Sequence, residues 1–104
     1  MAMALDGVGP LPRKERLILE LLASQGPLYG LQLVDHSDGA LKRGTVYVTL
    51  GRMEAKGLVE SQQEPVPPGG IGLPRRIYRP TVLGERMLRA WTAFARELAW
   101  EMKP

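Results

Sequence analysis

A chain of 104 residues, 44 % hydrophobic and 24 % charged, has the size and composition of one globular domain, too short for two independent cores and far from a disordered polymer. With no cysteine and a single histidine, disulfides, thiolate metal sites, cysteine nucleophiles and histidine-built metal sites are excluded, and no cofactor is expected. The formal charge of +3 favours a polyanionic partner without requiring one.

Residues 1–11 read as a flexible leader, with two glycines, a proline and no hydrophobic period in the first ten. They lack the basic and apolar regions of a secretory signal, and no apolar run approaches the roughly 20 residues of a membrane span. A cytoplasmic protein without membrane contact is the expectation. From Pro12 a first helix is predicted, with Leu17, Ile18, Leu21 and Leu22 on one face and Gly26-Pro27 as its stop. A second runs from about Tyr29 to His36 and ends at Ser37-Asp38-Gly39. The third covers Lys42 to Lys56 and is closed by Gly57, which suits a left-handed position after a helix.

Beyond Gly57, Leu58–Glu64 reads as a strand, and Arg75–Arg79 as its return. Between them lie three glycines and four prolines, which exclude a helix or a central strand and mark a loop. Pro80-Thr81 breaks the return strand and offers a capping hydroxyl to a long last helix, Thr81 to about Met102, roughly 33 Å at 1.5 Å per residue. The fold expected is α+β, mostly helical: a winged helix-turn-helix of three helices and a two-stranded wing over residues 12–80, with a C-terminal dimerisation helix over 81–104. In that architecture the third helix enters a DNA major groove and the wing reaches the adjacent backbone or minor groove.

The third helix turns Val46, Leu50 and Met53 inward at about 100° per residue. Opposite them the sequence places Thr45, Val48, Thr49, Arg52, Ala55 and Lys56, a stripe without a carboxylate. Arginine can pair bidentately with guanine, threonine can reach a phosphate or base edge, and small residues allow close approach. Arg43 and Thr45 sit near the amino end, where free N–H groups favour a phosphate. The plainer alternative is a solvated helix face, and only the surrounding pattern argues for a reader of double-stranded DNA. Arg75 and Arg76, nearest the loop tip, fit phosphate contacts; equally, Arg75, Arg76 and Arg79 fit a charged edge strand that blocks aggregation.

Four segments in register resemble the PadR family of transcriptional regulators: Gly26-Pro27-Leu28-Tyr29-Gly30, Leu41-Lys42-Arg43-Gly44-Thr45-Val46-Tyr47, Leu50 to Val59, and Arg75 to Gly84. The resemblance implies a cytoplasmic dimeric winged-helix DNA binder, usually a repressor and often released by a small molecule. It also implies that Tyr29 helps pack the second helix on the third, and that Gly44-Thr45-Val46-Tyr47 positions the reading helix. Tyr47 lies at the border of the buried face, where DNA-backbone contact and core packing both fit. Pro80 stands where the family often has an aliphatic residue.

On the last helix Met87, Trp91, Phe94, Leu98 and Met102 form an apolar stripe longer than one small domain can cover. A homodimer is the economical answer, and it sets two reading helices about 34 Å apart; packing on the first helix is the alternative for part of the stripe. Trp91 and Phe94 could stack a small aromatic effector or serve as ordinary core. Trp100 points away from Trp91. A competing function is a winged-helix module that binds a protein and no DNA. His36, beside Asp35 and Asp38, reads as a solvated surface residue; no nucleophile–base set accompanies it, so an enzyme is not expected.

Overall fold

The computed structural model describes residues 11–66, 69, 70, 72 and 74–101. Helix α1 (Arg13–Gln25) follows Pro12 and ends at Gly26, whose φ of 87° is in the region that favours glycine and whose N–H returns to the Leu22 carbonyl at 3.0 Å. Its inward side carries Ile18, Leu19 and Leu22, whereas Leu17 and Leu21 sit half-buried at the border. A short strand β1 (Leu28–Tyr29) leads into α2 (Gly30–His36), whose entry is held by Tyr29 N–H donating to the Gln32 side-chain oxygen at 2.8 Å. Then come α3 (Arg43–Ala55), strands β2 (Val59–Glu64) and β3 (Arg75–Pro80), and α4 (Val82–Glu101).

The sheet has three strands, ordered β1-β3-β2, where the sequence suggested two. Strand β1 is two residues long and shows no alternation; it exists because β3 offers it partners, Leu28 opposite Tyr78 and Tyr29 opposite Ile77. The wing proper pairs β2 with β3 antiparallel, from Val59 opposite Pro80 to Glu64 opposite Arg75. Pro80 closes the strand from inside, tolerated because a missing N–H matters least at a strand end.

Leu11, Ile18, Leu19, Leu22, Leu28, Leu33, Leu41, Val46, Leu50, Met53, Leu58, Val59 and Tyr78 form one core beneath the three helices and the sheet. Each fully buried aliphatic side chain contributes about 1.5–3 kcal/mol. The end of α3 is closed by Gly57 at φ 78°, with N–H groups of Gly57 and Leu58 donating to the carbonyls of Glu54 and Met53 at 3.0 and 2.9 Å. The start of α4 is fastened to that end. Thr81 caps it, its hydroxyl accepting from Gly84 N–H at 3.0 Å while donating to the Gly57 carbonyl. Gly84 lies so close to Leu58 that an added Cβ would stand 2.0 Å from the Leu58 carbonyl oxygen.

The first turns of α4 settle on the domain through Met87, Leu88 and Trp91, all half-buried against the core. Farther along, Phe94 and Leu98 are exposed, and Trp100 more so. No helix of the described residues is long and apolar enough to cross a membrane.

Candidate nucleic-acid interface

Helix α3 sits with Val46, Leu50 and Met53 in the core, and this fixes which residues it offers to solvent. Arg43, Thr45, Tyr47, Val48 and Arg52 are exposed, as expected for an outward stripe. Thr49 is not. It is 8 % exposed, and its hydroxyl donates back to the Thr45 carbonyl at 3.3 Å. The reason is angular: three residues past Val46 and four before Met53, position 49 falls about 60° from the centre of the inward face, so its polar atom is satisfied within the helix. The expectation of Thr49 as a groove contact is corrected accordingly.

Lys56 also departs from expectation. Its Nζ lies 2.6 Å from Oε1 of Glu15, a residue of α1 with 1 % exposure. The ammonium is held by a carboxylate of its own chain, because a charge buried as deeply as Glu15 needs a partner.

Tyr47 has the geometry of both alternatives. Part of its ring lies on Gly30 of α2, where an added Cβ would meet the ring carbons and hydroxyl at 2.5 to 2.9 Å, yet half of the side chain remains open. Tyr47 on Gly30 is thus one contact between α2 and α3. The Tyr29 hydroxyl donates to the Glu64 carboxylate, and the Arg75 guanidinium stands 5.1 Å from its ring centroid. The hydrogen bond to Glu64 raises the Tyr29 phenol above its ordinary value of 10.0, with desolvation adding in the same direction. Tyr78 is raised as well, first by burial.

The wing arginines are separated by strand alternation. Arg76 reaches Ser61 Oγ at 2.9 Å and Gln63 Oε1 at 3.4 Å, and Ser61 in turn donates to Glu54 at 2.9 Å. Arg75 lies on Tyr29, on the side facing α2 and α3. Arg75, Arg76 and the open edge of Tyr47 line one cleft between the wing and α2, to which Asp35 adds a carboxylate. Part of the wing tip, residues 67, 68, 71 and 73, lies outside the described residues.

Glu15, Glu64 and Ser61 were not singled out from sequence. Glu15 had a signal, since positions 15, 18, 19 and 22 follow the helical repeat of the core; the other two depend on strand register. Of the predicted dimer residues, Met87 and Trp91 are half-covered by the chain's own core, Phe94 and Leu98 are exposed, and Met102 lies outside the described residues. Trp91 and Phe94 rings are 5.8 Å apart, and the Arg16 guanidinium lies 5.5 Å from the Trp91 ring. The surface assembled by α3 and the wing is rich in N–H donors and positive charge, chemistry suited to phosphates and base edges. Among the described residues no group of three His, Asp or Glu side chains could hold a metal ion.

A family model described as the transcriptional regulator PadR-like family matches residues 18–90. A PadR family transcription regulator from Clostridium difficile is similar in structure, with TM-score 0.73, 26 % identity, and coverage of 88 % of this chain and 95 % of that one. A second, from Eggerthella lenta, gives TM-score 0.66 and 28 % identity over 94 % of this chain and 83 % of that one. Bacillus subtilis PadR in complex with operator DNA shares the fold at TM-score 0.69 and 21 % identity, over 80 % of this chain and 48 % of that one. No curated protein matches the chain at a significant level.

Proposed function

The chain belongs to the PadR-like family of transcriptional regulators, and on that premise we propose that it binds duplex DNA sequence-specifically as a cytoplasmic homodimer and represses transcription. The observation that carries the reading is the exposed side of α3, where Thr45, Val48 and Arg52 stand clear of the core beside a wing bearing Arg75 and Arg76. Arg52 and Val48 are the base-edge candidates, Arg for guanine and Val for a thymine methyl. Arg43, Thr45, Tyr47, Arg75 and Arg76 are the phosphate candidates, supplying register and affinity rather than sequence. The operator complex of the Bacillus subtilis relative supports the choice of partner.

Homodimerisation is supported by the outer part of α4, where Phe94 is 56 % and Leu98 46 % exposed on the stripe that begins at Met87 and Trp91. A two-fold partner covering them would set the two reading helices about one DNA turn apart. The Trp91–Phe94 pair at that boundary is where a flat aromatic effector would stack.

Fluorescence anisotropy with duplex DNA across a salt series tests the reading. Affinity should fall steeply with salt, since each neutralised phosphate releases counterions. Indifference to duplex DNA at low salt would overturn it in favour of a protein-binding module.

A further inference from the structure

Glu15 is as deeply buried as its neighbours Ile18 and Leu19, at 1 % exposure. Its Oε1 takes the Lys56 ammonium at 2.6 Å, while Oε2 has no hydrogen-bond partner among the described residues. Lys56 is the residue that caps α3, its own N–H donating to the Arg52 carbonyl at 3.1 Å. The next residue, Gly57, is held by the Thr81 hydroxyl from the start of α4. The exit of α3 is therefore fastened on one side to α1 by an ion pair and on the other to α4 by a hydrogen bond. If Lys56 swung out to solvent or to a phosphate, Glu15 would be left buried without a counter-charge, which is strongly unfavourable. The Lys56 ammonium is thus held to Glu15 although 36 % of the side chain is exposed.

We infer that Lys56 and Glu15 are positioning residues for DNA reading: without touching the duplex, their ion pair sets the tilt of α3 and thereby the place of Arg52, one turn earlier. This rests on the proposed DNA binding and assigns Lys56 a role different from that of a phosphate contact.

The test uses an operator selected from a random duplex pool, a random duplex as control, and the variants Lys56→Met, Glu15→Gln and the double Glu15→Leu/Lys56→Met. Each is measured at a temperature where circular dichroism shows it folded. The double variant strands no charge, so it keeps the measurement possible if a single variant fails to fold. Operator affinity should weaken by about 2- to 30-fold, the range for residues that couple to a site without contacting it. The salt slope and random-duplex affinity should be unchanged, because no phosphate contact is lost. The double variant should recover melting temperature but not operator affinity. A slope reduced by about one for Lys56→Met would make the lysine a phosphate contact and overturn the inference. Recovery of operator affinity together with melting temperature in the double variant would overturn it too, leaving the pair a purely stabilising role. A parent chain that binds neither duplex would instead overturn the DNA reading itself.

Discussion

Replacing Gly84 by alanine probes the joint between the end of α3 and α4. A Cβ at position 84 would stand 2.0 Å from the Leu58 carbonyl oxygen, 3.0 Å from its carbon and 3.1 Å from Leu19 Cδ2. The first two atoms are backbone and cannot swing aside; Leu58 is fixed by its N–H bond to Met53 and by Thr81 N–H donating to that same carbonyl at 3.0 Å. Overpacking a tight site costs about 1–3 kcal/mol, and displacing the Thr81 cap adds about 1 kcal/mol. Against these, alanine in a helix gains at most about 1 kcal/mol over glycine. The balance is a loss of roughly 2 kcal/mol, which lowers the melting temperature of a domain this size by roughly 8–16 °C. Gly51→Ala is the control: Gly51 lies inside α3 with nothing within 4 Å of a built Cβ, so it should gain up to about 1 kcal/mol. Thermal unfolding followed by circular dichroism measures both. If Gly84→Ala melts at or above the parent, the close approach of α4 to the end of α3 is wrong.

Arg52→Ala should weaken operator binding by about 1–3 kcal/mol, the worth of one bidentate base contact, with melting unchanged; equal affinity would remove Arg52 from the reading face. Thr49→Val should leave operator affinity within twofold of the parent, as its hydroxyl is bonded inside α3, and a larger loss in anisotropy titrations would restore it as a DNA contact. Leu98→Glu puts a charge on the exposed stripe of α4 without disturbing the core, so light scattering should report monomers; an unchanged dimer mass would relocate the interface. The Tyr29 phenol is raised chiefly by donating to Glu64, so the stability this contact contributes is present in full below the ordinary value of 10.0 and is lost as pH climbs through the higher folded-state value. Glu64→Gln should move the Tyr29 phenolate absorbance transition down toward that ordinary value, and a transition that stays put would dismiss the contact.

What the sequence made legible was chemistry acting over a few residues. The Val46, Leu50, Met53 spacing, the stop at Gly57 and the capping hydroxyl of Thr81 each specify local backbone, and each element they predicted is present within a residue or two. What stayed hidden depends on distant partners. Two residues of β1 cannot show a period, and only Ile77 and Tyr78 make them a strand. Lys56 looked like a free charge because Glu15, its partner, lies 41 residues earlier. Thr49 was misplaced for another reason: it was assigned to the side opposite Val46, Leu50 and Met53, whereas about 60° from the centre of their face leaves it at the buried border.

The apolar stripe of α4 illustrates the same division. Its length was readable, but how much of it the domain covers depends on the helix beneath. With 13 residues α1 is about 20 Å long, and with 20 residues α4 is about 30 Å. Fastened at its first turn by Gly84 on Leu58, α4 can rest on α1 only as far as Trp91, beside Arg16. The ten residues beyond Trp91, ~15 Å of helix bearing Phe94 and Leu98, extend past the end of its support. One helix thus carries two kinds of apolar residue in a single unbroken pattern: those that anchor it to the core, and those left exposed.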